Sequence, residues 1–145
     1  MKALLQRVSS SMVEVNEKIV GQINKGLLVF VGFEKNDDKD CADKMINKIM
    51  TYRVFPDSDE KMNLSVQDIS GDLLIVSQFT LAAETKSGTR AGFSTAMPPI
   101  PAEKLYNYFL EKTKALHAPT ESGVFRADMK VSIVNDGPVT FLLET

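Results

Sequence analysis

The sequence predicts an α+β fold: a single domain over residues 1–145 in which a mostly antiparallel or mixed, barrel-like β-sheet carries two amphipathic helices. Three observations predict it. Short apolar runs with strand-like alternation occupy both ends of the chain, and two stretches repeat their apolar residues at helical spacing. No internal repeat, low-complexity tract or linker-like composition divides the 145 residues, a length with room for one sizeable core.

Residues 2 to 9 alternate as a strand, and Met12 to Val15 with Ile19 to Ile23 read as a hairpin turning at Asn16 and Glu17. Gly26 opens the apolar run Leu27 to Phe33, suited to a central strand. Asp37 to Asp40 can cap a helix whose Ala42, Met45, Ile46, Ile49 and Met50 form one buried stripe. Tyr52 to Phe55 leaves that helix, Pro56 to Asp59 marks a turn, and Leu73 to Phe79 is the next strand. Pro101 suits the first position of a second helix, with Leu105, Tyr106, Phe109 and Leu116 on one side and its end near His117 and Pro119. Met129 to Val134 and Val139 to Leu143 read as two final strands separated by Asn135 to Pro138. Between Leu81 and Pro101 lies an aperiodic stretch of a length that is usually functional or disordered, with Lys86 and Arg90 as candidate phosphate contacts.

With 43% hydrophobic and 25% charged residues, the composition is that of an ordinary globular protein. No apolar stretch reaches membrane-spanning length and no signal-peptide pattern opens the chain, so the expected address is the cytoplasm, with no membrane partner. Cys41, the single cysteine, excludes an internal disulfide, and one Cys with one His cannot build an ordinary zinc site, so neither metal nor cofactor is expected. A net charge of -2 argues against coating long stretches of nucleic acid, and any RNA contact should be local. No Gly-x-Ser-x-Gly elbow, His-Glu-x-x-His pair or phosphate-binding glycine loop occurs. His117, at a helix end, is sufficiently explained as a partner of the helix dipole.

Two segments instead present backbone. At Ser77, Gln78, Phe79, Thr80 and Leu81 the apolar run Leu73 to Val76 ends abruptly in hydroxyl and amide side chains, the pattern of a strand delivering polar atoms to a pocket edge. In Asn135, Asp136, Gly137, Pro138, Val139 and Thr140, Gly137 offers a position without Cβ and Pro138 fixes φ and lacks a donor. Read alone, the second segment is a turn with an ordinary trans proline, since only about 5–6% of X-Pro bonds are cis. Thr80 is a natural nucleophile by residue type, but no base partner for it is evident.

These two segments resemble the D-aminoacyl-tRNA deacylase family. The likeness extends over essentially the whole chain, through Leu5, Gln6, Arg7 and Val8, Gly26 to Val29, Lys61 to Ser65, and Ala127, Asp128 and Met129. It departs at Ala82, at Ala91, Gly92 and Phe93, and at Arg126, which stands where a small residue is common. The resemblance implies hydrolysis of the ester of a D-aminoacyl-tRNA by a homodimer. The backbone of Phe79 and Thr80 would bind the aminoacyl group, Ser77 and Gln78 would shape the pocket, and Phe125 and Met129 would hold the terminal adenosine. Gly137 and Pro138 would enter from the other subunit as a cis dipeptide whose carbonyls reject an L side chain, with Arg7 steadying it. A filter of that kind rejects a Cβ without recognising a D side chain, so glycyl esters should also be cleaved. The competing reading is a non-catalytic nucleic-acid-binding homodimer of the same fold.

Overall fold

The computed structural model describes residues 1–145. Its spine is one long strand, β1 (Lys2–Val15), which turns at Asn16 and Glu17 into β2 (Lys18–Ile23). Both turn residues have positive φ, 49° and 62°, the backbone of a two-residue turn whose twist matches that of the strands it joins. β3 (Gly26–Gly32) continues back along β1, pairing Val8 with Gly26 and Lys2 with Gly32. β6 (Asp72–Ser77) lies parallel to β3, and the short β7 (Thr120–Ser122) lies parallel to β6. β2 packs on β7, so the six-stranded mixed sheet is nearly closed. A two-stranded ribbon, β4 (Phe55–Pro56) with β5 (Met62–Leu64), stands apart from it.

Two cores explain why the central strands are apolar without interruption, as strands covered on both faces must be. Leu27, Val29, Val31, Leu73 and Ile75 face α1 (Lys39–Thr51) and α2 (Pro99–Leu116) in a cluster of 22 buried residues. Their neighbours Leu28, Leu74 and Val76 point the other way, into a cluster of six with Val8, Val13 and Ile23. α1 buries the expected stripe of Ala42, Met45, Ile46, Ile49 and Met50, and its N-cap is Asp38, which accepts from the Cys41 N–H at 2.9 Å. α2 turns Ala102, Leu105, Tyr106 and Phe109 inward.

The structure corrects several expected boundaries. Residues 2 to 15 form one strand, because Ser10 and Ser11 still pair with Val134 and Ile133 of β8 (Lys130–Glu144) past a register shift at Ser9. β8 is likewise one strand where two were expected. Its pairing with β1 steps from Gln6–Thr140 to Val8–Asn135, so the four residues Asp136 to Val139 stand opposite the single Arg7 and bulge from the sheet without breaking it. β6 ends at Ser77 rather than Phe79, and Phe79–Ala82 forms a 3-10 turn. α2 begins at Pro99, two residues earlier than expected, because both Pro99 and Pro101 fit a first turn that needs no N–H donors. Strands β4, β5 and β7 are two or three residues long, too short to leave a periodic signal. The peptides Gly137–Pro138 and Ala118–Pro119 are cis; the resemblance pointed to the first, and nothing in the sequence marked the second.

Candidate active site

Where the parallel strands β3 and β6 end side by side, the chain stops pairing and opens a cavity of about 770 Å³. Val76, Met129 and Val131 line it along with Phe33, Phe125, Met97 and Ala102, while Phe79 and Phe93 stack at 5.0 Å between centroids at its edge. Phe79 is 60% exposed, an apolar ring left in solvent over a cavity. Buried Tyr106 supports the wall from behind. Its ring contacts Phe33 and Phe125, and its hydroxyl donates to the Ile75 carbonyl at 3.1 Å, two residues before the strand ends. Burial pushes this phenol well above its ordinary pKa, with the Ser77 N–H acting weakly the other way, so it stays a neutral donor.

The rim is shaped by backbone. Gln78 N–H donates to the Val31 carbonyl at 2.7 Å, and the first bond of the 3-10 turn runs from the Leu81 N–H to the Gln78 carbonyl. The turn therefore leaves the N–H groups of Phe79 and Thr80 without a partner inside it. Gly32 makes this approach feasible, because a Cβ there would lie 2.8 Å from both the Gln78 oxygen and the Leu81 Cβ. The Thr80 hydroxyl accepts from the Gln78 amide at 2.6 Å. An amide donor cannot remove a proton, so this contact orients Thr80 without activating it. The far wall is stitched to the segment that follows β3 by Met97 N–H to the Phe33 carbonyl and Lys35 N–H to the Thr95 carbonyl, both 3.0 Å, and to the 3-10 turn by the Thr95 hydroxyl on the Ala82 carbonyl.

Of the residues singled out in the sequence, Ser77, Gln78, Phe79, Phe125 and Met129 line this one cavity, with Thr80 next in chain on its rim. Lys86 and Arg90 do not line it. They sit exposed on a loop closed by paired hydrogen bonds between Glu84 and Gly92. Sequence reasoning missed the two cations that do line it, Lys35 and Arg126. Arg126 carried a signal, as a departure from the family pattern; Lys35 carried none.

Gly137 and Pro138 lie elsewhere. Arg7 binds the bulge through its Nε, which donates to the Asp136 carbonyl at 3.0 Å and lies 3.4 Å from the Asp136 carboxylate, while its Nη1 donates to the Val54 carbonyl at 2.7 Å. Gly137 has φ 128°, and an added Cβ would meet Val139 Cγ2 at 2.9 Å and Arg7 Nη2 at 3.0 Å, so no other residue fits without strain. The rim lies beside Ala3 of β1, through Val31 and Ser77, and the bulge lies beside Arg7. Four residues of strand separate those levels, ~13 Å, and three strand spacings separate β8 from β6, ~14 Å. Both residues of the dipeptide are exposed and absent from the lining of the cavity.

Fold and site define a class: a small α+β domain with a nearly closed mixed sheet, an aromatic-walled cavity at the end of a parallel strand pair, and backbone groups at its rim. The chain belongs to the D-Tyr-tRNA(Tyr) deacylase family, whose family model matches residues 4–144. It is 56% identical over 145 residues to a D-aminoacyl-tRNA deacylase of Pseudomonas fluorescens, covering all of both chains. With the corresponding protein of Pseudoalteromonas translucida it shares 54% identity over 143 residues, 99% of each. Among solved structures it is similar to a c-Myc DNA unwinding element binding protein, at TM-score 0.95 and 39% identity over 100% of this chain and 99% of that one. A probable eukaryotic D-amino acid tRNA deacylase shares the fold at TM-score 0.87 and 15% identity, over 98% and 97% of the two chains.

Proposed function

We propose that this chain hydrolyses the ester bond of D-aminoacyl-tRNA, and of glycyl-tRNA, releasing the free amino acid and tRNA and sparing L-aminoacyl esters. The observation that carries the reading is the pair of N–H groups at Phe79 and Thr80, unpartnered in their turn, beside an aromatic cavity of nucleoside size. Water adds to the ester carbonyl, the two N–H groups hold the oxyanion, and the ribose oxygen leaves with a proton. The adjacent ribose hydroxyl is suited to positioning that water, and holding a labile ester still is itself worth several kcal/mol. Phe125 and Met129 hold the terminal adenosine, and Ser77 and Gln78 shape the rim.

The Gly137–Pro138 dipeptide acts in the rim of a second copy, in a cytoplasmic homodimer. Its distance from its own cavity supports this, as does an apolar row across the sheet in which Leu142 pairs with Leu4 and Leu4 with Phe30, with Leu142 54% exposed. Carbonyls presented there clash with an L side chain at Cβ, and glycine has nothing to clash. Purified protein should cleave D-tyrosyl- and glycyl-tRNA and leave L-tyrosyl- and L-alanyl-tRNA intact. Glycyl-tRNA that survives high enzyme concentration while D-tyrosyl-tRNA is cleaved would replace rejection by a positive D side-chain pocket. A monomer in solution with full activity would remove the shared site.

A second reading has one observation in its favour: the 39%-identical structure is described as a DNA unwinding element binding protein. On that reading the chain is a nucleic-acid-binding dimer without turnover. Its net charge of -2 weighs against duplex binding driven by phosphate neutralisation. Binding of duplex DNA at physiological salt together with no deacylation of D-tyrosyl-tRNA would favour it.

A further inference from the structure

The cavity is lined by 18 residues, of which Lys35 and Arg126 are the only charged ones, in a chain whose net charge is negative. Both are exposed, and neither forms an ion pair or a side-chain hydrogen bond, although Lys2, Arg7 and Lys112 all find carboxylates. Arg126 carries a further mark. Its φ is 61°, a left-handed conformation uncommon for a residue with a side chain, and it follows Phe125, whose ring forms the cavity wall. A glycine would adopt that backbone freely; arginine adopts it at a cost and gains a guanidinium at the cavity. The third positive feature is the N-terminal end of α2, where Pro98, Pro99 and Ala102 line the same cavity. Its macrodipole favours an anion, but Pro99 and Pro101 have no N–H and the Ala102 N–H is committed to the Pro98 carbonyl. Of the first-turn N–H groups only that of Ile100 is uncommitted, so that end supplies mainly field and most of the hydrogen bonding falls to the two side chains.

We propose that Lys35 and Arg126 form a phosphate clamp that grips the 5′-phosphate of the terminal nucleoside, so that the phosphodiester, rather than the exposed loop bearing Lys86 and Arg90, sets how deeply the acceptor end enters. This rests on the cavity holding that nucleoside. The chemistry matches: an apolar aromatic chamber takes a base and sugar, and the link to the rest of the chain must leave carrying one negative charge. A planar guanidinium binds two phosphate oxygens at once, and an ammonium adds a mobile point charge. Both are positioning residues: they grip the phosphate and take no part in the ester chemistry.

The test compares adenosine with adenosine 5′-monophosphate as inhibitors of D-tyrosyl-tRNA hydrolysis by the full-length protein. The monophosphate should inhibit about tenfold better, the scale of one hydrogen bond to a charged group. In Arg126→Gly and Lys35→Met the ratio should fall toward one, KM should rise and kcat should hold. Arg126→Lys should keep part of the preference. The slope of log affinity for tRNA against log salt should shrink by about 0.7 for each single-strand phosphate that is no longer neutralised. Arg126→Gly should also melt no lower than the parent, because glycine accepts the left-handed backbone. Equal inhibition by the two compounds in the parent protein overturns the clamp and leaves the nucleoside cavity standing, whereas inhibition by neither overturns the cavity assignment itself. A lower melting temperature for Arg126→Gly with an unchanged ratio would make the arginine a packing residue and end the proposal.

Discussion

The rim at Ser77 to Leu81 and the bulge at Asp136 to Val139 both present backbone atoms, and they are built in opposite ways. The rim is what remains when a parallel strand runs out. β6 loses its partner beyond Ser77, the chain winds into a single 3-10 turn, and Gly32 on the neighbouring strand lets that turn lie flat. The bulge interrupts an antiparallel ladder that resumes on both sides, and one side chain, Arg7, ties it to the sheet and to Val54. The rim offers donors over a cavity in its own chain; the bulge offers acceptors to solvent. On the proposed reading the donor site is complete where it is made, whereas the acceptors face a second molecule. The dimer proposed for this family member follows from that asymmetry.

The largest effect should come from the bulge. Gly137→Ala places a methyl within 3.0 Å of both Val139 and Arg7 at a φ of 128°, so the dipeptide must move. A displacement near 1 Å at a positioning element costs on the order of a hundredfold, and D-tyrosyl-tRNA turnover should fall by about that factor with the fold intact by circular dichroism. Selectivity against L-tyrosyl-tRNA should fall with it. Wild-type rates with wild-type selectivity would separate the bulge from the reaction.

Next comes the rim. Gly32→Ala drives a methyl to 2.8 Å from the Gln78 oxygen and the Leu81 Cβ, overpacking of a kind that typically costs about 1–3 kcal/mol in stability. Deacylation should drop roughly tenfold to a hundredfold while discrimination between D and L esters survives, since the filter is untouched. Loss of discrimination here would merge the two regions into one device.

Tyr106→Phe probes the support behind the rim and should act mainly on stability. It removes one of two donors from the Ile75 carbonyl, which keeps the Gly123 N–H at 2.9 Å, so the loss should be about 0.5–1.5 kcal/mol. Because the folded-state pKa is raised, the phenol's contribution is complete below its unfolded value near 10 and fades as pH rises toward the folded value. Denaturant melts should therefore show the deficit of the variant at pH 8 and a smaller one above about pH 10. A deficit that grows with alkalinity would contradict the assignment of a neutral donor.

The smallest effect is expected at Thr80→Ala, which removes a hydroxyl held by an amide but keeps both N–H groups. Turnover should stay within about tenfold of the parent. A loss beyond about a thousandfold, the scale of removing a member of a catalytic constellation, would restore a side-chain nucleophile and undo the backbone reading of the rim.

Local chemistry was legible in the sequence wherever a local rule applies. The stripe of α1, the two-residue turn at Asn16 and Glu17, the unbroken apolar run from Leu27 and the abrupt end of the apolar run before Ser77 each follow from period, run length, capping or turn preference among neighbouring residues. The motif resemblance added the family, which the matches over the full chain show.

Tertiary structure alone decided three things. It made Lys130 to Glu144 one strand, because the long partner β1 holds pairing on both sides of four unpaired residues, and local turn preference cannot register a partner more than 120 positions away. It converted Phe79 from a strand residue to the first residue of a turn, since parallel pairing ends with the neighbour's length and not with the strand's own composition. And it gathered Lys35, Phe79 and Arg126 around one cavity from three separate stretches of chain, a convergence that depends on the order of strands in the sheet and leaves no pattern along the sequence.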